Sequence, residues 1–123
     1  TALEESDAPP SIAYDEAALL PISSPSLRPG PVEPRANNLP GITALFLIGD
    51  DPRSHAWLQQ RLPELQRLGA AGLVVNVESA TALQALRDRA PGLILTPVPG
   101  DDLAQRLGLS RYPVLITATA IEQ

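Results

Sequence analysis

The sequence contains no cysteine. That excludes a disulfide framework, a thiol nucleophile, a redox pair and a thiolate metal site. Its single histidine, His55, rules out a histidine-ligated metal cluster within one chain. Lysine is missing as well, since arginine supplies all nine positive charges. Schiff-base chemistry, a Walker-type lysine and a receiver-type phosphorylation switch therefore have no lysine to use. Positive charge is scarce overall: nine basic residues face fourteen acidic ones, a net of −5. Phosphate neutralisation needs a basic surface, so nucleic acid is not expected as a main partner. No apolar run approaches the roughly 20 residues of a membrane span, and no direct membrane insertion is expected.

What remains is a chain of 123 residues, 44% of them apolar, the size and composition of one ordinary domain. It starts at Thr1 without a methionine and is expected to be a processed protein or a cut piece.

Composition changes near Gly41. Residues 1–40 hold eight of the fourteen prolines, and six acids (Glu4, Glu5, Asp7, Asp15, Glu16, Glu33) against Arg28 and Arg35, a net of −4. Proline at that density removes backbone donors and excludes long helices. Residues 1–40 thus read as a proline-rich, acidic, partly disordered arm. Within it, 1–12 are expected to be disordered and Asp15–Leu20 to form one helical turn ending at Pro21. Residues 13–40 are either laid over the domain through Leu19, Leu20, Ile22 and Val32 or left as a free tail.

From Gly41 to Gln123 the pattern is regular. Thr43–Ile48 is a continuous apolar run, as in a buried strand. Asp51 is placed to cap a helix with Pro52 at its first position, and Leu58, Leu62, Leu65 and Leu68 recur at helical spacing. Pro63 is expected to kink or break that helix near Leu62. Gly69–Gly72 reads as a helix-to-strand turn, because a dinucleotide fingerprint requires strand, then glycines, then helix. Leu73–Val77 is a second strand. Ser79 caps a helix with Leu83, Leu86 and Ala90 inward, and Leu93–Thr96 is a third strand. Asp101 caps a short helix with Leu103 and Leu107 inward, stopped by Gly108. Val114–Ala118 is the last strand. The order β-α-β-α-β-α-β predicts a three-layer α/β domain with a mainly parallel sheet.

In such sheets ligands bind beyond the carboxyl ends of the strands. Asp50 and Asp51 follow the first strand, Glu78 the second, Asp101 and Asp102 the third. Carboxylates gathered there would hold magnesium for phosphoryl chemistry; Asp51 and Asp101 also stand where helix caps are wanted. A phosphohydrolase using Asp50, Asp51 and Asp101 is therefore the rival reading, unsupported by any lysine or glycine-rich phosphate cradle. His55 lacks a nucleophile beside it. Trp57 reads as core or as a cover for the arm. Tyr112-Pro113 brings a proline to the first residue of a strand, and composition alone favours its trans form.

The stretch Leu93–Ala118 (strand, short helix, Leu-Gly-Leu-Ser-Arg-Tyr-Pro, strand) resembles the second half of thioredoxin-like folds, which place a cis-proline where a helix returns into the sheet. It is most similar to the thioredoxin-like pilin-assembly proteins of F-type conjugation systems. Leu45–Ser54, Gly72–Ser79 and Asp101–Gln123, above all Tyr112–Gln123, look like a protein family encoded on integrating conjugative elements. The likeness spans roughly residues 15–123. It implies a component of a type IV secretion (mating-pair or pilus-assembly) apparatus, periplasmic after signal cleavage, whose partners are other proteins of that machine. Where thioredoxins carry Cys-X-X-Cys, this chain has Asp51-Pro-Arg-Ser54, so thiol exchange is absent. The resemblance thus implies a redox-inactive, thioredoxin-like, non-enzymatic scaffold with no cofactor and no metal. Its expected partner groove is lined by Asp51, Pro52, Arg53, Ser54, Tyr112 and Pro113. A structural lid, whose acidic arm contacts the rest of the machine, is a further possibility.

Overall fold

The computed structural model describes residues 18–123. The expectations for 1–12, and for the start of the helical turn at Asp15, lie outside the described residues. In chain order the elements are β1 (Arg28–Pro29), β2 (Arg35–Ala36), β3 (Leu45–Gly49), α1 (Pro52–Leu68), β4 (Ala71–Asn76), α2 (Ala80–Asp88), β5 (Leu95–Pro97), α3 (Asp101–Leu107), β6 (Arg111–Tyr112), β7 (Val114–Ile116) and β8 (Ala120–Glu122).

A six-stranded sheet runs in the order β2-β8-β7-β3-β4-β5, and β1 with β6 forms a separate two-stranded ribbon. β3, β4 and β5 are mutually parallel. β7 lies antiparallel to β3, β8 to β7 and β2 to β8. The expected mainly parallel, thioredoxin-like sheet is thereby overturned: the sheet is mixed and most of its pairings are antiparallel. The physical reason lies in the connections. Helices α1 and α2 return the chain to the end where it started, which produces parallel neighbours. The last two strands are joined by a tight hairpin, closed by Thr117 N–H donating to the Ala120 carbonyl at 2.8 Å, and a hairpin is antiparallel by construction. β2 then adds to β8 from the arm, a pairing no helical crossover announces.

Alternating strand residues feed two cores. Phe46, Ile48, Val74 and Leu95 meet Trp57, Leu58 and Leu65 of α1 and Leu83 and Leu86 of α2 on one face. Leu47, Val75, Val114, Ile116 and Ile121 meet Ala104 of α3 on the other, together with Leu27 of the arm. Each fully buried leucine or isoleucine there contributes about 1.5–3 kcal/mol. Because α3 is short, the arm supplies part of the second outer layer. Leu20 and Ile22 pack against the first core and Val32 and Leu39 against the second; Leu19 is exposed.

Local signals translate as their chemistry dictates at most helix ends. Asp51 caps α1 by accepting from Ser54 N–H, and Ser79 caps α2 by accepting from Ala82 N–H. Gly108 ends α3 in the left-handed region at φ 67°, where a side chain is strained. Two expectations are corrected. α1 runs through Pro63 without a break; the proline and Gln59, the residue four positions before it whose carbonyl it cannot serve, are both exposed, which places the missing bond on the solvent side of the helix. Asp101 does not cap α3: the cap position is Gly100, with no side-chain hydrogen bond, and the Asp101 carboxylate is used by the arm instead.

Candidate functional site

The parallel strands β3 and β4 end at Gly49 and Asn76, and a polar cluster gathers beyond them. Asp51 accepts from Ser54 N–H at 2.9 Å through one carboxylate oxygen and from Ser54 Oγ at 2.8 Å through the other. Ser54 Oγ in turn accepts from Gly49 N–H at 3.0 Å. Asp50 receives Glu78 N–H at 3.0 Å. Across the cluster, Asn76 Nδ2 donates to the Tyr112 phenol oxygen at 3.0 Å. Gly49 makes this approach feasible: a Cβ there would stand 2.8 Å from the Tyr112 phenol oxygen and 3.0 Å from Asp51 Oδ1. Burial raises the Tyr112 pKa above its ordinary value; the bond from Asn76 lowers it, and the nearby Asp51 and Asp50 carboxylates add to the rise.

This cluster is roofed by the arm. Ile22 and Val77 exchange backbone hydrogen bonds at 2.9 and 3.0 Å. Ser24 N–H donates to Asn76 Oδ1 at 2.7 Å. The buried Ser24 hydroxyl donates to the Val75 carbonyl at 2.6 Å and accepts from Gly100 N–H at 2.7 Å. Ser26 donates to Asp101 through both its N–H and its hydroxyl. Arg28 N–H donates to Ser110 O at 3.2 Å and Gly30 N–H to Tyr112 O at 3.0 Å, so β1 lies parallel to β6. The bond between Tyr112 and Pro113 is cis, as is that between Leu20 and Pro21; composition alone pointed to trans at Pro113.

Of the six residues expected to line a partner groove, Asp51, Ser54 and Tyr112 come together, but as frame. Ser54 is 0% exposed and Tyr112 3%, and Pro113 is buried; only Pro52 and Arg53 are fully open to a partner. The acids of the rival reading are dispersed in role. Asp51 serves its own helix, Asp50 the Glu78 amide and Asp101 the arm. Among the described residues no group of three or more His, Asp or Glu side chains is placed to hold a metal ion. His55 is half-buried on α1, and Trp57 is in the core, its ring centroid 5.9 Å from that of Phe46.

An open groove lies where the arm leaves β1. It has a volume of about 280 Å³ and runs between Pro31–Arg35 on the arm side and Gly108–Arg111 on the domain side. Sequence reading missed it, along with the roles of Ser24 and Asn76. Asn76, polar at the end of an apolar run, was the one local hint; Arg35 and Arg111 are 76 residues apart in the chain and carry no shared signal.

The profile of a family described as a protein of unknown function (DUF2859) matches residues 1–121. The chain belongs to that family. The match takes in the arm as well as the sheet, so the family unit includes both. No curated protein and no solved structure matches the chain. No helix among the described residues is long and apolar enough to cross a membrane.

Proposed function

We propose that this DUF2859 chain is a non-enzymatic protein-binding module that takes an extended segment of a partner in the groove between Pro31–Arg35 and Gly108–Arg111. One observation supports this reading above the others. The wall formed by Ser110–Tyr112 already holds an extended chain, the protein's own Arg28–Gly30, through main-chain hydrogen bonds. Immediately beyond that strand the groove is left open. Grooves that continue from a bound strand are where extended peptides dock, side-chain contacts giving the specificity.

The setting we propose is a conjugative type IV secretion apparatus in the periplasm, with other proteins of that apparatus as partners. This part of the reading rests on the sequence resemblance to proteins encoded on integrating conjugative elements. The phosphohydrolase alternative has less behind it, because Asp50, Asp51 and Asp101 each accept a hydrogen bond from the chain's own backbone.

The test is DNA transfer from cells carrying the gene in its own locus. Leu109→Arg, which fills the groove, is expected to reduce transfer strongly while the protein accumulates at its normal level. Gln84→Arg, on the exposed face of α2, is the control and is expected to leave transfer unchanged. Normal transfer with Leu109→Arg overturns the reading.

A further inference from the structure

The groove has a charge character at odds with the rest of this acidic chain. Arg35 and Arg111 stand in its two walls, and Arg28 is the register partner of Arg111 across β1 and β6. Three arginines elsewhere are matched: Arg61 meets Glu122 at 3.8 Å, Arg106 meets Asp102 at 3.2 Å and Arg67 meets Glu64. Among the described residues, no carboxylate forms an ion pair with Arg28, Arg35 or Arg111. Glu33 borders the same groove without pairing with any of the three. Like charges facing one another across strands are unfavourable on their own, and an anion placed between them relieves the repulsion.

One wall guanidinium is hydrogen-bonded in place and the other lies against the arm. Arg35 donates to the Leu107 carbonyl at the end of α3. Arg111 lies across Gly30, where an added Cβ would come within 2.5 Å of its Nη1; the absence of a side chain at Gly30 makes the seat. A guanidinium already fixed, as that of Arg35 is, loses little further freedom on meeting a carboxylate, which either arginine can grip through two parallel N–H bonds. Between them, Pro31, Val32, Pro34 and Leu109 give an apolar backing.

We propose that this groove reads carboxylates: its occupant is an extended, acidic segment of a partner protein whose Asp or Glu side chains are met by Arg35 and Arg111. The inference rests on the peptide-binding reading above and names the chemistry of the partner. Phosphate-bearing nucleic acid is disfavoured by the net charge of −5.

Fluorescence anisotropy on the full chain tests it with three probes: a short labelled peptide rich in Glu and Pro, the same peptide with Gln for every Glu, and single-stranded DNA. The expected result is saturable, salt-sensitive binding of the Glu peptide, weakened about tenfold or more by the Gln replacement and by Arg111→Gln. Arg111→Lys, which keeps the charge and loses the fork, is expected to fall between Arg111→Gln and the natural chain. The fold of each variant is checked by its amide spectrum. Equal affinity for the Glu and Gln peptides overturns the carboxylate preference and leaves the peptide-binding reading standing. No binding of either peptide, or tighter binding of DNA, overturns the inference; peptide silence together with normal transfer by Leu109→Arg overturns the reading beneath it.

Discussion

The side-chain amide of Asn76 donates to the phenol oxygen of Tyr112 at 3.0 Å. It ties the end of a parallel strand to the short ribbon that carries the arm. Asn76 also accepts Ser24 N–H at 2.7 Å, so one amide holds the sheet, the ribbon and the arm together. A half-buried amide with all three tasks is costly to disturb.

Tyr112→Phe tests that link. It leaves the Asn76 donor short of a partner and is expected to cost about 1–3 kcal/mol in chemical denaturation. It also changes the alkaline limb. Tyr112 has a raised pKa in the folded chain because burial opposes its ionisation. The unfolded phenol ionises near pH 10, so this residue's contribution is fully present below that pH and is lost as pH rises through the folded pKa. Stability of the natural chain is expected to fall more steeply above about pH 10 than that of Tyr112→Phe. Equal slopes contradict the assignment.

Ser54 and Asp51 act as a unit at the start of α1. Asp51→Ala removes the cap and is expected to cost about 0.5–2 kcal/mol. Ser54→Ala strands the Gly49 amide and should cost a similar amount or more. In a double-mutant cycle the pair is expected to be non-additive, since each residue's loss removes part of the other's bonding. Additive costs would show that the two carboxylate contacts are independent of the strand end.

Helix ends were legible in the sequence because capping is a local matter. Asp51, Ser79 and Gly108 act within four residues of their own positions. Both core faces were legible as periodicity, down to Leu83, Leu86 and Leu58. Asp101 was misread because its partner, Ser26, lies 75 residues away. The sheet's direction is hidden for a related reason: β2, β7 and β8 are only two or three residues each, too short for a pattern to show where one ends and the next begins, and the antiparallel pairings of β7 with β3 and of β2 with β8 depend on the whole fold. The groove itself exists only once the arm is in place, so neither wall could announce it.

Ser24→Ala addresses the arm. Its hydroxyl bridges the Val75 carbonyl and the Gly100 amide, and its loss leaves both short of a partner at a cost of about 1–3 kcal/mol. The expected outcome is faster amide exchange at Ile22, Leu27 and Val77, with exchange in the β3–β7 pair little changed. Uniform acceleration across the sheet would show that the arm has no separate opening.

A magnesium titration separates the binding module from the phosphohydrolase. The amides of Asp50, Asp51 and Asp101 are expected to show no local, saturable shifts at millimolar metal. Such shifts at all three would favour the enzyme.

The most direct measurement is photo-cross-linking inside conjugating cells, with the reactive group placed at Val32 in the groove and, as a control, at Gln84 on α2. The account predicts a product from Val32 that joins this chain to a protein encoded in the same conjugation locus, and none from Gln84. A Val32 position that yields no such product while DNA transfer proceeds normally contradicts it.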